Sequence, residues 1–375
     1  MVNTALEHII HPGGLVKRRL PINYKPQDEQ KFKSEFQKQI TPTILYKLTN
    51  VNVTVDGIVL EKKISINDQS LFHIDHKNWI TSIYSLLTYL LKKRITLDKN
   101  EYILAFNYWG DGYFHWMTET IPRLVAISES MNNCILLLPQ SWNQMYSMKT
   151  MLKSFFKPGI PFSKDNFHIK SIESFEKKGI QFIPYKNYMN IKKLSMPGQT
   201  ADTGNYNEQL IKKTRNHYHN YYKKILTLNL GELIYISRKK AERRKIINEN
   251  ELIMCLKQYQ FKILYWEDYT FEEQISIAFH SKYLIGLHGA NLTNMMFMQE
   301  NSSILEIKIE GDYYNSCYYA LASALNLNYF YQFAKDTNPN QIEKDEYYFQ
   351  NTDAYVNIKE FENNIKLMIA YQKKQ

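Results

Sequence analysis

Residues 283–307 read YLIGLHGANLTNMMFMQENSSILEI, and this stretch decides the fold. Residues 283–287 form a short continuous apolar run, the composition of a strand buried on both faces. The run stops at His288, and Gly289 permits a tight turn. Apolar residues then recur at helical spacing over 291–298, and 303–307 is a second buried run. Strand, turn, helix and strand in so short a span make a βαβ unit, which needs a parallel sheet.

The alternation extends outward from this unit. Upstream, 233–237 and 261–265 read as strands, with Asn248 and Glu251 spaced as a capping box between them. Thr270 with Glu273 is a second capping box, opening a helix to about His280. Downstream, 313–325 reads as a helix. The pattern predicts a Rossmann-like domain over 231–345, with a helical tail over 346–375. A polar helix within 206–230 is expected to link it to a second α/β domain over 1–205. In that domain 44–62 alternates like paired strands, with Asp56-Gly57 at the turn. Helical spacing covers 78–91, buried strands are expected at 102–106 and 134–138, and a helix near Phe114 follows the glycine-marked loop 109–112. Residues 1–41 read as irregular. The expected fold class is α/β, two Rossmann-like domains with extra β structure near the N-terminus.

The 375 residues suit two domains at about 150 residues each. With 44% hydrophobic and 22% charged residues, a wholly disordered chain is excluded. No apolar run approaches the roughly 20 residues that span a bilayer. The N-terminus lacks a basic stretch followed by an apolar one, so no secretory signal is expected. Cys134, Cys255 and Cys317 are far apart and form no CxxC, which reads as reduced core thiols of a cytosolic protein. The net charge of +10 fits nucleic acid, an anionic membrane surface or phosphorylated small molecules. With the amphipathic tail, it suits loose attachment to the inner face of a membrane. The 13 glycines and 11 prolines fall well short of the roughly 45 that average usage gives, so those present mark positions where the backbone needs them.

Three stretches carry chemistry. At His288-Gly289-Ala290 a strand meets a helix start, where free N–H groups favour phosphate. Arg238, Lys239, Arg243 and Arg244 leave the strand 233–237 in one loop and can neutralise a diphosphate, or can simply solvate the surface. Glu306 ends the strand 303–307, where an acidic residue can accept from ribose hydroxyls. In NYWGDGYFHWMTETIPRLVAI, residues 107–127, His115, Glu119 and Arg123 recur at spacing four and share one helix face. Pro122 is expected to kink that helix or restart it. A His–Glu pair makes a general base, and equally a local ion pair; spacing leaves open which of the two would take the proton. There is no HExxH, no DxD, no Walker loop and no GxGxxG, so neither a metal nor a dinucleotide cofactor is expected.

Taken in order, YFHWMTETIPRL, SR…RR.I.NE, F.EQI, YLIGLHGANLTNMMFM and LEI resemble glycosyltransferase family 61. The resemblance implies a GT-B-like architecture, with two Rossmann-like domains facing across a cleft, and a nucleotide-sugar co-substrate, UDP-linked above others. It places the donor diphosphate on Arg238, Arg243 and the turn of His288, Gly289, Ala290, Asn291 and Asn294, with Glu306 near the ribose or base. It makes Glu119 and His115 catalytic, and puts Asp111, Trp116 and Arg123 on the acceptor side. The family often has Asp where this chain has Glu119. Metal-free inversion is implied, as is a cytosolic bacterial role in building capsule or another surface polysaccharide on a glycan or lipid-linked glycan acceptor. Two other readings are weighed against it. One is a polysaccharide pyruvyl transferase using phosphoenolpyruvate on a similar scaffold. The other is a basic nucleic-acid-binding protein, opposed by the lack of any RRM, KH or zinc-finger signature.

Overall fold

The structure, a computed structural model, describes residues 6–54, 57–61, 65–66, 93–131, 133–143, 162–184, 187–313, 315–337 and 346–374. The helix expected over 78–91 lies outside them. The chain forms two compact units that interleave in sequence: 1–14, 40–150 and 168–202 make the first, and 15–39, 151–167 and 203–375 the second. A single boundary near 205 misses this. The segment 15–39 joins the second unit through long-range bonds, Ile22 N–H to the Tyr329 carbonyl at 2.8 Å and the Tyr331 hydroxyl to Asp28 at 2.5 Å.

The first unit is built on a nine-stranded sheet: β1 (Leu6–His11), β2 (Thr43–Val53), β3 (Val59–Glu61), β4 (Ser65–Ile66), β5 (Lys93–Leu97), β6 (Glu101–Ile103), β7 (Cys134–Pro139), β8 (Gly179–Ile183) and β9 (Asn187–Pro197). The order is β8-β7-β6-β9-β2-β3-β4, with β1 against β2 and β5 against β9. Strands β6 to β9 pair in parallel, and β2 runs antiparallel to β9. A β2–β3 hairpin forms as expected; Gly57 has φ 83° and its N–H donates to the Thr54 carbonyl, while Asp56 lies outside the described residues. The N-terminal region is not irregular as expected. It supplies β1 and a two-stranded ribbon, Gly14–Lys17 with Gln37–Ile40. These strands are mostly exposed, Ile9 and Leu15 included, so burial imposes no apolar alternation to read.

Between β6 and β7 the chain crosses over in one helix. Tyr113–His115 is α-helical, Trp116–Thr120 widens into a π-helical turn, and Ile121–Ala126 is α-helical again. Pro122 has no N–H for the Thr118 carbonyl. The ladder absorbs the loss because the Ile121 N–H reaches back five residues to Trp116.

The second unit holds a six-stranded sheet: β10 (Leu233–Ile236), β11 (Lys262–Leu264), β12 (Tyr283–Leu287), β13 (Ser303–Ile309), β14 (Asn328–Asp336) and β15 (Ala354–Tyr355). The order is β11-β10-β12-β13-β14-β15, all parallel except β15. Counted along the chain, its first five strands lie 2-1-3-4-5, the doubly wound order. Strands β12 and β13 are buried throughout, as their apolar runs require. Thr270 and Glu273 form their capping box. Asn248 caps nothing with its side chain; its amide instead brackets Val356, donating to the carbonyl at 2.9 Å and accepting from the N–H at 3.0 Å. The helix expected over 291–298 is a 3-10 helix, Ala290–Phe297.

Two expected helices form but are more deeply packed than a link or a free tail. Glu208–Tyr222 buries Leu210, Ile211, Tyr218 and Tyr222, and Arg215 donates to the Leu325 carbonyl at 2.8 Å. Ile358–Gln372 buries Phe361, Ile365 and Met368 in the core of the same unit. The apolar stripe of this helix packs within the unit. No described helix is long and apolar enough to cross a membrane, and the three cysteines are buried and form no disulfide.

Candidate active site

In a doubly wound sheet the ligand crevice opens where successive connections leave in opposite directions. Here that point lies between β10 and β12, and a cavity of about 520 Å³ opens beside it, lined by Ser237, Arg238, Arg243, Trp266, Glu267 and Asn291 among others. That volume falls within the range of small-molecule sites, about 300 to 1,000 Å³.

Arg238 follows β10 directly. Its Nε donates to the Arg244 carbonyl at 3.1 Å and its Nη2 to the Arg243 carbonyl at 3.3 Å, so the guanidinium is folded over its own loop. Beneath it lies Gly289, with φ 151°; a Cβ there would sit 2.6 Å from Nη1. Glycine is required by the backbone angle and by the close approach. Burial, and then the neighbouring Arg244, pull the Arg238 pKa down to about 10. The group stays cationic at neutral pH in a place that disfavours charge, so an anion bound beside it would offset that cost. Arg244 holds a left-handed backbone, φ 57°, and its Nη1 donates to the His288 carbonyl at 2.9 Å. Arg243 is exposed, with Nη1 2.8 Å from Asn351 Oδ1.

Asn291 is buried on the cavity wall, and neither amide atom of its side chain has a partner, while its backbone carbonyl accepts from Trp266 Nε1 at 2.8 Å. Such an amide costs about 1 to 3 kcal/mol unless something pairs with it. Ala290 is half-buried at the start of the 3-10 helix.

Two expected donor contacts are displaced. Glu306, expected near the ribose or base, is wholly buried, accepting from His288 Nδ1 and from the Tyr329 hydroxyl at 2.5 Å. Burial opposes its charged form, yet His288, Lys308 and Tyr329 hold its carboxyl below the usual range. Its work is to orient the His288 ring, which also packs on Tyr318. Asn294 is buried too, donating to Gln274 Oε1 at 2.9 Å. Gln274 in turn donates to the carbonyls of Phe162 and Trp266, so Asn294 braces the cavity wall without reaching the cavity. Trp266, Glu267 and Asn351 were not foreseen. The first two follow β11, and only the strand order brings them to the crevice.

In the first unit the crossover helix begins at the carboxyl end of β6, which has β7 on one side and β9 on the other. His115 and Glu119 meet as their spacing predicts, Nδ1 to Oε1 at 2.7 Å. The other carboxylate oxygen accepts from Asn107 Nδ2 at 2.5 Å, a partner the sequence does not signal. Glu119 is buried and His115 about a quarter exposed, at 25% for the side chain. Burial works against the Glu119 charge, but His115, Arg123 and Asn107 keep its carboxyl below the usual range. Trp109, exposed, stacks on the His115 ring with centroids 6.0 Å apart, and Asp111 is exposed nearby.

Trp116 and Arg123, expected on the acceptor side, point inward. Trp116 is fully buried and its Nε1 donates to Ser171 Oγ at 2.7 Å. Arg123 is buried, its Nη1 donates to the Ala105 carbonyl at 3.0 Å, and burial lowers its pKa to about 10. Trp116, next to His115, lies about 100° around the helix from it, and Arg123 lies beyond the π-helical turn, whose widening carries it off a plain four-residue stripe.

These features define an α/β enzyme with a cationic recess at the switch point of a doubly wound sheet and a carboxylate-backed histidine elsewhere in the chain. The Glycosyltransferase 61 family model matches residues 113–305, just over half of the sequence, and the chain belongs to glycosyltransferase family 61. It is similar to EGF domain-specific O-linked N-acetylglucosamine transferase of Bos taurus, 32% identical over 101 residues, which are 26% of this chain and 19% of that protein. The Drosophila melanogaster protein of that name is 31% identical over 104 residues, 26% of this chain and 19% of its own. Protein O-linked-mannose beta-1,4-N-acetylglucosaminyltransferase 2 of Homo sapiens is 30% identical over 81 residues, 21% of this chain and 14% of its own. The matched stretches thus span less than a fifth of these relatives.

Proposed function

We propose that the protein transfers a sugar, with inversion, from a UDP-linked donor to a glycan hydroxyl, in the assembly of a surface polysaccharide. The observation that carries this is the second unit's recess, where Arg238 is pressed onto Gly289 beside the unpaired Asn291 amide. A nucleoside diphosphate supplies both the anion and the hydrogen-bonding groups that these side chains lack. In a GT-B-type division of labour, the second unit holds the donor and the first activates the acceptor.

The geometry favours His115 as the base, with Glu119 orienting it. Glu119 is buried, doubly hydrogen-bonded and held ionised, so it is a weak proton acceptor, whereas the partly exposed imidazole keeps Nε2 free while Nδ1–H faces the carboxylate. As the acceptor oxygen bonds to the anomeric carbon, its proton passes to His115. The bond from that carbon to the β-phosphate oxygen breaks, and the electron pair leaves with UDP. Arg238, Arg243 and the N–H groups after Gly289 stabilise the charge gathering on UDP, the task a divalent metal serves elsewhere. No cluster of three or more metal-ligating side chains occurs among the described residues.

The relatives are named for N-acetylglucosamine transfer, so UDP-N-acetylglucosamine is the first donor to test. Mass spectrometry of a reaction with a glycan acceptor panel should show UDP release and an acceptor heavier by one sugar. Consumption of phosphoenolpyruvate instead, with no nucleotide sugar turned over, would overturn the proposal.

A further inference from the structure

The His115–Glu119 pair depends on a loop that two buried side chains hold from behind. Asn107 reaches Glu119 through Nδ2 alone, and its Oδ1 has no partner, so the side chain is placed chiefly by its own backbone. That backbone runs into a 3-10 turn, Tyr108–Asp111, in which Gly110 N–H donates to the Asn107 carbonyl at 3.1 Å. On one side of Asn107, Arg123 grips the Ala105 carbonyl. On the other, His168 Nε2 lies 2.9 Å from the Gly110 carbonyl.

A carbonyl only accepts, so His168 Nε2 must carry the proton. The ring is buried between two tryptophans, stacked on Trp142 at 4.5 Å and edge-on to Trp116 at 4.8 Å. Burial lowers its pKa to about 4, with the Gly110 bond opposing this, so at neutral pH it is an uncharged donor and not itself a base. Trp142 also covers Gly110, where a Cβ would lie 3.0 Å from its ring. The turn is thus pinned by a hydrogen bond and closed over by an aromatic wall.

We infer that His168 is a positioning residue for the His115–Glu119 pair: its imidazole N–H fixes the Gly110 carbonyl, and the turn it fixes delivers Asn107 to Glu119 and Trp109 to His115. The catalytic consequence rests on the reading of His115 as the base; the positioning itself does not. A merely structural His168 would support the core without setting the state of His115.

The test is imidazole nitrogen NMR on protein labelled with 15N-histidine, with the His115 signals identified by their loss in His115→Ala. In the wild type, His115 Nδ1 should hold its proton at neutral pH. His168→Phe keeps an aromatic ring but no donor, and should give mixed His115 tautomers, since a loosened Glu119 no longer holds the Nδ1 proton. His168→Gln, which restores a donor, should recover much of the wild-type signal. UDP-N-acetylglucosamine turnover by His168→Phe should fall about 10- to 100-fold in kcat with KM unchanged. Asn107→Ala cuts the same chain without touching the aromatic core, so it serves if His168→Phe does not fold, and it should reproduce the mixed His115 tautomers. His115 signals unchanged in folded His168→Phe, or in Asn107→Ala, overturn the inference. Full turnover by His115→Ala would overturn the base assignment alone.

Discussion

Replacing His168 by Phe should flatten the loss of stability that the first unit suffers between about pH 7 and pH 4. An ordinary histidine titrates near 6.5, and burial brings His168 to about 4. Between those values the unfolded chain binds a proton that the folded chain refuses, so acid favours unfolding. The stabilisation that the neutral ring provides is fully present above 6.5 and is lost as pH falls toward 4. A window of about 2.5 units at 1.36 kcal/mol per unit is worth about 3 kcal/mol. His217 and His219 are also lowered by burial, so the whole protein's pH curve does not isolate the effect. The difference between wild type and His168→Phe does. Urea unfolding followed by tryptophan fluorescence, at several pH values, should show wild type losing about 3 kcal/mol more than the variant across this range. Parallel curves would mean that His168 titrates normally, and the argument from its burial would fail.

Three further changes probe the sites. Gly289→Ala drives a Cβ to 2.6 Å from Arg238 Nη1 on a backbone that disfavours side chains, and should weaken UDP binding about 10- to 100-fold by calorimetry, the worth of a charge-assisted hydrogen bond; an unchanged Kd would contradict the recess. Glu119→Gln preserves shape but removes the charge on His115, and should lower kcat about 100-fold or more while UDP affinity stays put; wild-type turnover would refute the pair's role. Arg243→Ala, which removes a cation from the cavity wall, should weaken UDP binding about tenfold; an unchanged affinity in titrations would show that Arg243 does not reach the diphosphate.

How much of this was legible varies with how local the cause is. Strands β12 and β13 announce themselves because strands covered on both faces read as apolar runs, and the Thr270–Glu273 cap needs only three residues of spacing. The His115–Glu119 bond is one helical turn and was equally plain. The π-helical turn was not, because apolar periodicity does not register a helix that widens for five residues, and with it went the placing of Arg123. Glu306 was assigned to the donor as a carboxylate at a strand end, and Asn294 through the family resemblance. Their partners, His288 and Gln274, come from other elements, and no spacing rule links 294 to 274. Asn107 and His168 were silent for the same reason: their roles depend on which backbone carbonyl or carboxylate the fold brings within 3 Å. The interleaving of the units is likewise a matter of long-range pairing, such as Ile22 on Tyr329.

Calorimetric titration of UDP into wild type and Arg238→Ala, both in excess EDTA, tests the central claim most directly. The account predicts that wild type binds UDP undiminished by EDTA and that Arg238→Ala binds at least about tenfold more weakly. Binding that vanishes in EDTA and returns with Mg²⁺ or Mn²⁺, or an Arg238→Ala protein with wild-type affinity, would contradict it.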